Sequence, residues 1–161
     1  MASLFPGMNW AAWQYFSEMP AYAPFFRRNI MNEIFDFIKA CGTYYLATVD
    51  ADGQPRVRPF GTINLFEDKL YIQTGKNKNV SKQIQANSKV ELCCFNGQEW
   101  LRLSGELFRD DRIEAKKDML DKYPSLQKMY SAEDENTEVL DFKNATAIVS
   151  SFTAAPKVVK F

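Results

Sequence analysis

Histidine is missing from all 161 residues. Its absence removes the commonest general acid and base near neutral pH, the Ser/His and Cys/His nucleophile pairs, His-containing zinc sites and a His-ligated haem. Cysteine is scarce, with only Cys41, Cys93 and Cys94. The number is odd, and the adjacent pair points to opposite faces of a strand, so a disulfide framework is not expected and a reducing cytoplasm fits. Cys93 and Cys94 read as strand filler, because no basic partner or further ligand is spaced nearby. No metal site is expected.

Long hydrophobic runs are also lacking. None approaches the roughly 20 residues of a membrane span, and the N-terminus has neither the basic start nor the apolar stretch of a signal peptide. The expectation is a soluble, cytoplasmic protein that does not enter a membrane. An excess of charge of either sign is missing too, since 20 Lys and Arg balance 20 Asp and Glu. No overall field draws the chain to nucleic acid, and any anion site must come from local clustering. Repeats, low-complexity tracts, and Walker, dinucleotide-fold or zinc patterns are absent.

What is present suggests one domain with an extension. Residues 1–30 are rich in aromatics and interrupted by Pro6, Pro20 and Pro24, leaving room for one short helix from about Asn9 to Met19. There Trp10, Trp13 and Phe16 or Ser17 recur at helical spacing, a stripe that can cover an apolar groove on this chain or bind a protein partner. The spacing of Ile30, Ile34, Phe37 and Ile38 predicts a helix from Ile30 to Ala40, stopped at Cys41-Gly42. Residues 31–161 are then expected to form the domain proper.

From Thr43 the apolar period switches to that of strands. "TYYLATVD" and "QPRVRPFGTINLF" flank an "ADG" turn, and "DKLYIQTG" follows, which reads as a three-stranded meander. "NKNVSKQIQANSK" predicts a short helix with Val80 and Ile84 inward, and "KVELCCF" with "EWLRLSGELF" a hairpin about Asn96-Gly97. A charged helix follows over 109–123, then two strands, "TEVLDFK" and "ATAIVSSF", and an edge piece, "KVVKF", placed to cross to a partner. Six or so antiparallel strands with a few helices favour a small closed or partly closed barrel.

Two constellations carry chemistry. In "PRVRPF" the strand period puts Arg56 and Arg58 on one face and Pro55, Val57 and Pro59 on the other. Two guanidiniums on one face repel unless an anion or acids lie between them, and the prolines mark an edge whose backbone groups are free for a flat ring. A solvated edge strand protected from aggregation accounts for the same pattern. In "QTGKNKNVSK" a strand ends at Thr74, Gly75 permits a tight turn, Asn77 can cap a helix, and Lys76, Lys78 and Lys82 crowd its positive end. Cations there are unfavourable by about 0.3–1 kcal/mol each unless a phosphate occupies the helix N-terminus. In "EWLRLSGEL", Leu101, Leu103 and Leu107 point to the core. That leaves Trp100 on a face where it needs a cover, from a partner subunit, the N-terminal segment or an aromatic ligand.

The strings "YYLATVDADGQPRVRPFG", "KLYIQTGKNKNVSKQIQANSKVELCCF" and "WLRLSGEL" together resemble the pyridoxamine 5'-phosphate oxidase-like family of FMN-binding split barrels, from about Met31 to Phe161. The resemblance implies a mainly β fold with flanking helices, a six-stranded antiparallel split β-barrel, and a homodimer with two FMN sites at its interface. It implies that Arg56, Val57, Arg58 and Pro59 form the strand meeting the flavin ring and phosphate. Thr74, Asn77, Lys78 and Asn79 fall at the family's phosphate-binding turn, with Lys82 as a further contact and Trp100 beside the isoalloxazine. The implied activity is flavin-dependent reduction of a small, flat, electron-poor substrate with a nicotinamide donor. A non-catalytic flavin carrier, sensor or stress protein is the alternative. The C-terminal "SFTAAPKVVKF" lacks the arginine-and-histidine motif with which true pyridoxamine phosphate oxidases hold their substrate, which argues against vitamin B6 oxidation. The "VRPFG" strand and the size are nearer the nitroimidazole-reductase relatives, although their His-dependent cofactor chemistry has no counterpart here.

Overall fold

A computed structural model describes residues 23–161 of the chain. The short helix expected from about Asn9 to Met19 lies outside the described residues. The first described element is helix α1, Ala23–Cys41. It begins seven residues before the apolar stripe that predicted it, because Pro24 falls in the first turn, where its missing N–H and fixed φ suit a helix start. Ile30, Ile34 and Ile38 are buried along one side of α1. The helix stops at Gly42, whose φ of +71° is the left-handed conformation that favours glycine.

Eight strands then form one antiparallel sheet: β1 (Tyr44–Val49), β2 (Pro55–Phe60), β3 (Asn64–Phe66), β4 (Lys69–Gly75), β5 (Lys89–Phe95), β6 (Glu99–Asp110), β7 (Thr137–Ser151) and β8 (Lys157–Lys160). Helix α2 (Asn79–Ala86) joins β4 to β5. Helix α3 (Ile113–Lys122) and a 3₁₀ turn (Pro124–Lys128) join β6 to β7. The strand order is β2-β1-β5-β6-β7-β4-β3, with β8 also on β7. The first half of β7 pairs with β4 (Thr137 to Asp141) and the second half with β8 (Thr146 to Val149). The sheet divides there, which makes the architecture a split barrel of eight strands where six were expected.

Three expectations need correction. "QPRVRPFGTINLF" is two strands, β2 and β3, and they lie at opposite ends of the strand order, so the meander does not form. "TEVLDFK" and "ATAIVSSF" are one continuous strand, β7. It carries Asn144 at φ 50° opposite an irregularity between Ser104 and Glu106 that curves the sheet. Gly105 sits in that bulge, where an added Cβ would lie 3.1 Å from both the Ala145 Cβ and the Lys143 carbonyl. The "KVVKF" segment pairs with this chain's own β7, and Phe161 exchanges two 2.9 Å backbone hydrogen bonds with Ala145.

Period-two alternation fills the interior. Leu46, Leu92, Leu101, Leu103 and Leu107 are fully or almost fully buried on one face of the sheet, together with Ile72, Leu140 and Phe142. Helix α1 lays Ile34 and Ile38 on that core, and α2 adds Val80 and Ile84, the inward pair its sequence predicted. The Tyr123 hydroxyl ties the far end together: it accepts from the Ile63 N–H at 3.0 Å and donates to the Ile63 carbonyl at 2.8 Å. Among the described residues no helix is long and apolar enough to cross a membrane.

Candidate functional site

The hairpin of β1 and β2 turns at 50–53, where Gly53 adopts φ +86° and its N–H reaches the Asp50 carbonyl at 3.0 Å. Its register sets Arg58 opposite Leu46 and Arg56 opposite Thr48, so both arginines share one face and Pro55, Val57 and Pro59 the other. The two guanidiniums then part. Arg56 Nε meets Asp50 Oδ2 at 2.5 Å, so an acid answers that charge within the hairpin itself. Arg58 folds inward and is half-buried. Its Nη1 donates to Thr48 Oγ1 at 2.7 Å, to the Leu46 carbonyl at 3.2 Å and to the Arg56 carbonyl at 3.2 Å, and its Nη2 donates to Gln83 Oε1 at 2.8 Å. Every acceptor is neutral. Burial, followed by the nearby charge of Arg56, lowers the Arg58 pKa, so the environment disfavours its cation and an anion there would be welcome.

Gln83 belongs to α2, which brings β2 to the second constellation. β4 ends at Gly75, where an added Cβ would stand 3.1 Å from the Asn136 side chain and 3.3 Å from the Tyr130 hydroxyl. Only glycine lets the turn sit that close to the 130–136 loop. Lys78 occupies the N-cap of α2, and no side chain caps the helix. Asn77, expected as the cap, instead donates its backbone N–H to Asn136 Oδ1 at 3.1 Å. Lys76 is drawn to Asp111 at 3.3 Å. Lys78 Nζ lies 5.9 Å from the Tyr130 ring centroid, and neither Lys78 nor Lys82 has an ion pair among the described residues. Asn79 lies one helical turn before Gln83, so Arg58 is held one turn from the uncapped N-terminus. Thr74 is 2% exposed and its hydroxyl has no hydrogen-bond partner among the described residues.

The opposite face of the sheet carries exposed apolar side chains around the Arg102–Glu91 ion pair. Val57 is 63% exposed, and Tyr45 and Phe95 are exposed beside it. Trp100 lies against Phe152 with the rings tilted by 53° and centroids 5.2 Å apart, and Phe152 is itself 89% exposed. Within one chain, then, Lys78, Asn79 and Lys82 lie in the cap and first turn of α2, Thr74 ends the strand before it and Arg58 is held one turn further on, while Val57, Pro59 and Trp100 belong to the other face. The thiols fit their reading as filler: burial pushes up both Cys93 and Cys94, leaving weak nucleophiles. Among the described residues no group of acids and cysteines is arranged to hold a metal ion.

Sequence reasoning missed Thr48 and Gln83. Thr48 had a signal, since it faces Arg56 across a hairpin whose turn was legible. Gln83 had only its position four residues after Asn79, which means nothing until α2 packs on β1.

A split barrel with lysines crowding a strand-to-helix turn defines a class of mainly β proteins. The sequence pattern of the pyridoxamine 5'-phosphate oxidase family matches residues 30–149, and the chain belongs to that family. A NimC/NimA family protein from Clostridium acetobutylicum is 37% identical, covering 89% of this chain and 100% of its own, with a TM-score of 0.81. General Stress Protein 26 from Bacillus anthracis shares 17% identity over 83% of this chain and 99% of its own, at a TM-score of 0.64. A heme binding protein from Mycobacterium smegmatis shares 10% over 76% of this chain and 57% of its own, at 0.60. These last two speak for the fold alone. Curated protein sequences give no match.

Proposed function

We propose that this protein is a cytoplasmic, homodimeric FMN-dependent oxidoreductase that reduces a small, flat, electron-poor molecule with electrons from a nicotinamide donor. The observation that carries the reading is Arg58: a half-buried guanidinium whose partners among the described residues are all neutral, one turn from an uncapped helix N-terminus flanked by Lys78 and Lys82. A phosphate monoester supplies the missing negative charge, and the unpartnered Thr74 hydroxyl offers it a further donor. The family membership supports FMN in particular. The complete lack of histidine weighs against a His-ligated haem in the same barrel.

In this reading Arg58, Lys78, Asn79, Lys82, Thr74 and the N–H groups opening α2 bind the phosphate, with Asn77 and Arg56 at the rim. β2 ends the strand order, so its free backbone groups along Val57 to Pro59 meet the pyrimidine edge of the ring. FMN, when bound, supplies the hydride or electron transfer. The protein's part is to orient the ring and exclude water from one of its faces. The exposed apolar face carrying Val57, Tyr45, Phe95 and Trp100 packs on a second copy, which brings the partner's tryptophan beside the ring.

The test is anaerobic mixing of FMN-loaded protein with NADH or NADPH. Bleaching of the flavin band, followed by its return when a nitroaromatic or quinone is added, supports the oxidoreductase. Loaded protein that neither nicotinamide reduces would leave a flavin-binding protein without this activity.

A further inference from the structure

Arg58 differs from the paired arginines of this chain. Arg28, Arg56, Arg102, Arg109 and Arg112 each have a carboxylate within salt-bridge distance. Arg58 is half-buried, yet among the described residues every acceptor its guanidinium meets is a neutral oxygen. A buried arginine is ordinarily matched by an acid, because its desolvation is otherwise uncompensated.

The neutral set is built from three elements. Thr48 on β1 is 2% exposed. Its hydroxyl accepts from Arg58 Nη1 at 2.7 Å and donates to Gln83 Oε1 at 2.6 Å, while Gln83 Oε1 also accepts from Arg58 Nη2 at 2.8 Å. The triangle is consistent in donors and acceptors. It also fixes the Gln83 amide with its oxygen toward the arginine, since both neighbours donate to it. Planar guanidinium geometry makes such a two-point hold directional.

We infer that Thr48 and Gln83 are positioning residues for Arg58: they fix its guanidinium one turn from the start of α2 with neutral acceptors, so that its charge stays available to the ligand's phosphate. The inference rests on the phosphate-ligand reading above and assigns this site two residues outside the strand and turn that mark it in sequence. Glutamine is what the design needs at 83. A glutamate would hold the guanidinium equally well and cancel the charge the ligand uses.

The test compares FMN with riboflavin, which lacks the phosphate, by fluorescence titration of the full chain. Gln83→Glu keeps the geometry, and its affinity for FMN should fall about 10- to 100-fold, the range of one hydrogen bond to a charged group, with riboflavin affinity unchanged. Thr48→Val and Gln83→Leu should lower FMN affinity about tenfold, and Thr48→Ser should restore it. Wild-type FMN affinity in Gln83→Glu, or equal loss of both ligands, would overturn the inference.

A ligand-free arm separates this from the cofactor reading. In isotope-labelled protein the Arg58 guanidinium should give slowly rotating nitrogen resonances in the wild type and in Thr48→Ser, and averaged ones in Gln83→Leu. An averaged wild-type Arg58 overturns the positioning role whatever binds. An ordered Arg58 in a protein that takes up no FMN supports the positioning role and sinks the FMN reading.

Discussion

Arg109→Met should be among the most destabilising single changes in the sheet. β6 and β7 set Arg109 opposite Leu140, which places its guanidinium diagonally against Glu138. Arg109 Nε meets Glu138 Oε1 at 2.6 Å, with Arg109 30% exposed and Glu138 not exposed at all. The second carboxylate oxygen has no partner. Removing the arginine strands a buried carboxylate, a change that costs about 3–5 kcal/mol. At about 2–4 °C per kcal/mol for a domain of this size, Tm should fall by about 6–20 °C. The double variant Arg109→Met, Glu138→Met replaces the pair with apolar groups and should recover most of the loss. Urea unfolding of the four proteins in a double-mutant cycle gives the coupling directly. A loss below about 1 kcal/mol in Arg109→Met would refute the reasoning, because a carboxylate buried without compensation cannot be that cheap. The consequence reaches the site as well: Glu138 is the register partner of Thr74, so the pair braces the strand from which the turn proposed to bind phosphate departs.

Two further outcomes follow from single groups. Tyr123→Phe leaves the Ile63 N–H and carbonyl without the hydroxyl that serves both, and should cost about 1–3 kcal/mol by chemical denaturation. Asp141 is buried, its Oδ2 lacks a hydrogen-bond partner among the described residues with Lys143 Nζ 4.0 Å away, and burial raises its pKa against the lowering influence of Lys143 and Lys69. Its folded state binds the proton more tightly than the unfolded chain, so stability is lost as pH rises through the folded pKa. Asp141→Asn should therefore gain stability over the wild type as pH goes from acid to neutral, and a difference that shrinks over that range would contradict the assignment. Asp110 has the opposite sign, since hydrogen bonds from Arg112 hold it down to about 2.

The elements written in local pattern were legible: α2 from Val80 and Ile84, the β5–β6 hairpin from Asn96-Gly97, and the alternation of Leu101, Leu103 and Leu107. Misreadings arose where one residue serves either of two local structures. Pro24 looked like a breaker and opens a helix. The residues from Gly61 to Ile63 looked like strand and carry the chain across the fold. The bulge at Gly105 let β7 run on where two strands were expected. At the site, the cations could be read because charge clustering is local. Their partners could not: Asp50 neutralises Arg56 and Asp111 draws off Lys76, while Thr48 and Gln83 reach Arg58 only once β1, β2 and α2 are packed together. Which of the cations stays free for a ligand is thus a tertiary fact.

Whether the cradle around Arg58 holds a flavin phosphate, as proposed, is read most directly from the visible absorption spectrum of the purified protein, followed by acid release and identification of any chromophore. Flavin bands and released FMN, or uptake of added FMN in preference to riboflavin, are the expected result. A colourless protein that binds neither added FMN nor inorganic phosphate would contradict it and return Arg58 to a structural role at the edge of the sheet.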